Sequence, residues 1–136
     1  MSQMKTFPLP VVSNDQERKP GNRGGLLLIS ARHQDKTTIF DLSGDIDFAS
    51  SPKVRDSVLR EIRESRTPRV VVNLSQVRYM DSSGVASLVE GLKASRDLGS
   101  RFILVGLSTS TRDVLQLSRL IKVFEVYDNE EQAMTS

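Results

Sequence analysis

Cysteine is absent from this chain of 136 residues. That excludes disulfides and thiolate metal sites and fits a reducing compartment. Tryptophan is missing too, and two tyrosines and five phenylalanines offer little surface on which bases could stack. Only one histidine, His33, is present, which leaves few bases for acid–base or nucleophilic chemistry. No apolar run approaches the roughly 20 residues that span a bilayer. The N-terminus also lacks the 7–15-residue apolar core of a secretory signal. The expectation is a soluble, cytoplasmic protein without direct membrane insertion. Strong charge is lacking as well. The formal surplus is +2, and residues 1–25 hold four basic side chains (Lys5, Arg18, Lys19, Arg23) against two acidic ones (Asp15, Glu17). Residues 26–136 then carry fifteen of each sign. A neutral domain has no electrostatic footprint for nucleic acid, and no nucleic-acid partner is expected.

What is present centres on one stretch. Val70-Val71-Val72 is an unbroken β-branched run, the pattern of a strand buried on both faces. Val85, Leu88, Val89 and Leu92 follow at i, i+3, i+4 and i+7, one apolar stripe of a helix. Between them lies Asp81-Ser82-Ser83-Gly84. Two hydroxyls and a carboxylate therefore fall at a strand-to-helix junction, where open α/β sheets place their sites. The first N–H groups of a helix lack intrahelical partners, and the macrodipole is positive there. Ser82 or Ser83 can serve simply as an N-cap. A phosphate added there would bring a charge of roughly −1.5 to −2 beside Asp81 and should project outward.

The rest of the chain reads as one domain over 26–136 behind an extension, 1–25, expected to be disordered for want of periodicity and for its scattered Pro and Gly. Leu26–Arg32 reads as a strand, 33–36 as a turn carrying His33, and Thr37–Ser43 as its antiparallel partner. Residues 44–48 leave the strand. Ser51 and Pro52 open a helix whose buried stripe is Val54, Val58 and Ile62, stopped by Thr67-Pro68. A third strand spans Arg69–Leu74, and the serine-bearing loop leads to a second helix ending near Gly99. Arg101–Val105 is a fourth strand. Residues 108–111 open a third helix with Val114, Leu117 and Ile121 as its apolar positions. Val123–Tyr127 is a last strand, and residues 129–134 form a terminal helical turn. The order β-β-α-β-α-β-α-β implies an α/β fold: a single-layer mixed sheet with an antiparallel opening hairpin, then parallel β-α units, and helices packed against it.

Enzymatic constellations are not supported. Ser82 and Ser83 have no Gly-x-Ser-x-Gly elbow and one histidine in the whole chain. Val105-Gly106-Leu107-Ser108 is too short for a phosphate loop. Asp45 and Asp47 share a face in an extended segment but have no third ligand for a cation. Asn73-Leu74-Ser75 matches a glycosylation sequon by chance at a strand end. No catalytic group, metal or cofactor is expected.

Leu42-Ser43-Gly44-Asp45-Ile46-Asp47, Val72-Asn73-Leu74-Ser75 and Met80-Asp81-Ser82-Ser83-Gly84 together resemble the STAS domain, specifically the bacterial anti-sigma factor antagonists. Phe102-Ile103-Leu104-Val105-Gly106 and residues 119–124 fit the same pattern, so the resemblance spans about 26–134. It implies a non-catalytic, partner-switching module. Unmodified, such a protein binds an anti-sigma factor with serine kinase activity; phosphorylation at the position matching Ser83 releases it, and a metal-dependent serine phosphatase restores binding. It implies Asp47 and Asp81 near that serine, and a switch region of Asp45, Asp47, Met80, Asp81, Ser82, Ser83 and Gly84. A dianion at an interface must be desolvated, and a penalty of about 4 kcal/mol weakens binding roughly a thousandfold. STAS-like proteins also include accessory subunits of ABC-type lipid transporters and partner switches with a non-sigma output, which remain alternatives here. Whether Ser82 is also modified stays open.

Overall fold

The computed structural model describes residues 5–9 and 27–136. Its frame is a six-stranded sheet whose spatial order follows chain order. β1 (Lys5–Leu9), β2 (Leu27–Gln34) and β3 (Thr37–Ile46) pair antiparallel. β4 (Arg69–Met80), β5 (Arg101–Val105) and β6 (Glu125–Tyr127) continue from β3 in parallel. Between the parallel strands run α1 (Ser51–Ser65), α2 (Ser82–Asp97) and α3 (Thr109–Leu117). Right-handed crossovers that always step in the same direction put all three helices on one face. The order expected from the chain holds, with one strand added at its start.

β2 and β3 are joined by Asp35 and Lys36, with φ of 52° and 59°. Two left-handed residues make the tight turn whose twist matches a hairpin. The turn is two residues shorter than expected, and His33 lies within β2 rather than in the turn. Its Nε2 lies 2.8 Å from Ser65 Oγ and 2.9 Å from Glu61 Oε1, so it ties the hairpin to α1.

Five residues of the segment expected to be disordered, Lys5–Leu9, instead form β1, with Leu9 opposite Ile29 and Lys5 opposite His33. Without β1, β2 would present its outer backbone groups unpaired, and a neighbouring stretch containing Thr6 and Phe7 can satisfy them. Pro8 is tolerated because β1 is an edge strand. Residues 1–4 and 10–25 of that expectation lie outside the described residues.

The main core lies between the sheet and α1–α3. Leu27, Ile29 and Ala31 of β2, Phe40 and Leu42 of β3, Val70, Val72 and Leu74 of β4, and Phe102 and Leu104 of β5 face Val54, Val58 and Ile62 of α1 and Val85, Leu88 and Leu92 of α2. The intervening residues Ile39, Val71, Ile103 and Val105 point to the other face, where Ala133 of α4 (Glu130–Met134) covers them. This explains the continuous apolar run in β4: both faces are covered at its centre. Arg32 reaches across the second face to Asp41 and Glu130, and Asn73 donates to Asp41 at 3.1 Å. These contacts raise the Arg32 pKa, Asp41 more than Glu130, and anchor α4 to the sheet.

Two expectations fail for geometric reasons. β4 does not stop at Leu74 but continues to Met80. Its register with β3 slips twice, since Asp41 pairs with Asn73 but Ser43 with Gln76, and Gly44 pairs with Val77 but Asp45 with Tyr79. Each slip adds one residue to β4, a bulge that breaks the alternation on which strand recognition depends. From the first bulge onward the buried residues are Leu74, Val77 and Met80, three apart. In the third helix, Leu117 is 85% exposed rather than buried. α3 buries Thr111 and Leu115, and the chain leaves the helix before Ile121, which lies in a separate 3-10 turn over Ile121–Val123. A stripe drawn through Leu117 to Ile121 assumes a helix that has already ended. The last strand correspondingly starts at Glu125 rather than Val123.

Candidate functional site

The carboxyl ends of β3 and β4 lie side by side, with Ile46 opposite Met80. Each strand then enters a helix through a short turn, and the turns are fastened together where Asp81 N–H donates to Ile46 O at 3.1 Å. A second tie follows one helical turn later. Ser87 Oγ, buried in α2, donates to Ser51 O at 3.0 Å and to Ser83 O at 3.1 Å. Its neighbours on the same helix face, Gly91 and Ser95, are also buried. These small residues let α1 and α2 approach closely; a Cβ on Gly91 would lie 2.9 Å from the Phe102 ring and 3.2 Å from Val58.

The α2 turn is capped by Asp81 rather than by Ser82 or Ser83. Asp81 Oδ1 accepts from Ser83 N–H at 2.9 Å and Gly84 N–H at 3.3 Å, satisfying two donors that the helix leaves unpaired. The same oxygen accepts the Ser83 hydroxyl hydrogen. Ser83 therefore sits in the first turn of α2 with its hydroxyl on a carboxylate, partly exposed. Ser82, the first helical residue, is the more exposed of the pair. Gly84 is buried, and a Cβ there would lie 2.4 Å from Met80 Cγ and 2.9 Å from Ile46 Cγ2. The close seat of α2 on both strand ends requires glycine.

The β3–α1 turn is built the same way. Asp47 Oδ1 accepts from Ala49 N–H at 3.1 Å, Ser50 N–H at 3.0 Å and Ser50 Oγ at 3.1 Å. Ser50 is fully buried and is held further, accepting from Asp47 N–H and donating to Asp45 O, each at 3.0 Å. Asp47 thus shapes its own turn, while Asp81 is the carboxylate in contact with Ser83. Asp45 lies 3.4 Å from the exposed Arg78 guanidinium.

The expected switch residues therefore separate into two sets. Asp45, Asp47, Asp81, Ser82 and Ser83 reach the surface at one end of the sheet. Met80 and Gly84 are buried and can shape that surface only from beneath. Sequence inspection missed Phe48, 83% exposed between Asp47 and Ala49, and Tyr79, half-exposed because the second bulge turns it outward. For Phe48 the signal was present, an aromatic set in a polar turn; for Tyr79 none existed without the register. Among the described residues no group of three or more His, Cys, Asp or Glu side chains could hold a metal ion. No described helix is long and apolar enough to cross a membrane.

Comparison with known proteins agrees with this geometry. The STAS domain model matches residues 29–133. The chain is 28% identical over 109 residues to the anti-sigma F factor antagonist of Paenibacillus polymyxa, covering 80% of this chain and 93% of that protein. It is 30% identical over 99 residues to the anti-sigma-B factor antagonist of Listeria monocytogenes, covering 72% and 84%. The crystal structure of an anti-sigma factor antagonist from Mycobacterium paratuberculosis superimposes with a TM-score of 0.73 at 23% identity, over 80% of this chain and 92% of that one. A mixed sheet with α1–α3 on one face, two aspartate-held turns fastened at its end and a match over nearly the whole described domain place the chain in the STAS domain family, among the anti-sigma factor antagonists.

Proposed function

We propose that this chain is a cytoplasmic, non-catalytic partner-switching antagonist. Unmodified, it binds an anti-sigma factor that carries serine kinase activity, and phosphorylation of Ser83 releases it; a metal-dependent serine phosphatase resets the cycle. The observation that carries this reading is the placement of Ser83. Its hydroxyl is partly exposed in the first turn of α2, and its hydrogen is already directed to Asp81. Transfer of the γ-phosphoryl group of ATP to Ser83 Oγ would release that proton and put a dianion beside the Asp81 carboxylate. The two charges repel, and the group turns outward, into the face where a partner docks. Burying it there costs several kcal/mol, enough for release by about a thousandfold.

Incubation with the anti-sigma factor and ATP should add one phosphate, located on Ser83 by mass spectrometry and absent from Ser83→Ala. The phosphorylated form should lose the anti-sigma factor in a binding assay. Modification that persists in Ser83→Ala, or equal binding of both forms, rejects the reading. Recovery with a transport ATPase and permease in place of an anti-sigma factor would assign the chain to the accessory-subunit alternative.

A further inference from the structure

We infer that Phe48 is the apolar anchor of the docking face, the side chain that the partner must receive in a pocket of its own. This inference rests on the preceding reading and names the residue that fixes the unmodified complex.

The ring is 83% exposed, although the domain's three large buried aromatics, Phe40, Phe102 and Phe124, are almost wholly enclosed. Loose packing of the turn does not explain the exposure. The backbone on either side is held by Asp47 Oδ1, which accepts from Ala49 and Ser50 N–H, and by Ser50 Oγ, which bridges Asp47 N–H and Asp45 O. Ser51 N–H donates to Asp47 O at 2.8 Å, closing the turn into α1. Phe48 therefore stands on a rigid loop that presents it to solvent, at the cost of unburied aromatic surface. Pre-formed, solvent-exposed aromatics are the residues on which protein interfaces concentrate their affinity, because little ordering remains to be done on binding.

The loop is also joined to the Ser83 turn. The Asp81 N–H to Ile46 O bond and the Ser87 bridge to Ser51 O fix the spacing between Phe48 and the acceptor serine. One partner surface can thus engage the ring and feel the charge state of Ser83.

Charge selects the kind of partner. Asp45, Asp47 and Asp81 flank this end of the sheet, against Arg78 and Lys53 as neighbouring cations. An anionic bilayer would meet the carboxylates, and a second copy docked by the same face would set each carboxylate toward its own kind. The complementary surface is a protein with an apolar pocket rimmed by arginine or lysine.

The test is titration of the full chain with the anti-sigma factor identified as above, for wild type, Phe48→Ala and Phe48→Leu. Phe48→Ala should weaken binding about thirtyfold or more, with Phe48→Leu between the two. The melting temperature should not move, because the ring contributes nothing to the core. At saturating anti-sigma factor, Phe48→Ala should still accept one phosphate on Ser83, the loss appearing as a raised half-saturating concentration. If wild type binds and Phe48→Ala binds equally well, the anchor is refuted while the partner-switching reading stands. If wild type neither binds nor accepts phosphate, that reading fails and the anchor with it. A Phe48-dependent dimer, or Phe48-dependent binding to phosphatidylglycerol vesicles, overturns the choice of partner.

Discussion

The two turns at the carboxyl end of the sheet use one design with opposite outcomes. In each, an aspartate closes a strand, and its Oδ1 accepts from N–H groups two and three residues on and from a serine hydroxyl. In the β3–α1 turn that serine, Ser50, is fully buried and makes further bonds to Asp47 N–H and Asp45 O. In the β4–α2 turn it is Ser83, partly exposed, whose hydroxyl donates to Asp81. The local hydrogen-bond grammar is the same. Accessibility separates a serine that holds a loop from one whose hydroxyl reaches the surface, and accessibility is set by what packs above each turn.

This contrast can be broken or sharpened by mutation. The largest expected effect is functional: Ser83→Ala should eliminate phosphate incorporation while changing unfolding free energy by less than about 0.5 kcal/mol. Measurable phosphate on Ser50 in that variant would abolish the distinction. Gly84→Ala should be the most destabilising substitution in either turn, by about 2–3 kcal/mol in urea unfolding, because its Cβ meets Met80 Cγ at 2.4 Å and Ile46 Cγ2 at 2.9 Å. Ser50→Ala should cost about 1–2 kcal/mol by the same measurement, since it leaves the Asp47 N–H without its hydroxyl acceptor in a buried site, yet Ser83 should still accept phosphate. Asp81→Ala removes the α2 cap and Asp47→Ala removes the acceptor that holds Ala49 and Ser50 N–H in its turn, and each should cost about 1 kcal/mol. Of the two, only Asp81→Ala should alter the rate of phosphate transfer at saturating kinase.

The smallest effect lies away from both turns, at the β5–β6 edge. Hydrogen bonding to Arg101 holds the Glu125 carboxyl below its usual range, and the same contact raises Arg101. The resulting stabilisation is present at neutral pH and is lost as pH falls through the lowered Glu125 value. The pair is more than a third exposed, so solvent screening keeps the effect small. Glu125→Gln should flatten the acid limb of stability against pH; an unchanged acid limb would remove the pair from the account.

How far the chain could be read without its fold differs from element to element. β5 and the apolar stripe of α1 followed directly from local pattern, as did a helix start within Asp81-Ser82-Ser83. The second half of β4 did not, because two bulges convert a period of two into spacings of three. Leu117 was misread for a related reason, since periodicity carries no mark of where α3 stops. β1 was invisible because Lys5–Leu9 becomes a strand only against the open edge of β2. At the site, the serine pair was legible, but a side chain's competitors for a cap are not. Asp81 displaced Ser82 and Ser83 as the cap, and its carboxylate took the Ser83 hydroxyl as well.

The residue pattern alone settled the alternation of strands and helices, the neutrality of the domain and the position of two serines at the head of a helix. Those properties depend on neighbours a few bonds or one helical turn apart. Which serine is sealed and which is open, that Met80 lies beneath the surface while Phe48 and Tyr79 stand out of it, and that the two turns are tied together were decided only by long-range packing. Exposure is the result of what the rest of the chain places over a residue, and no local window contains that information.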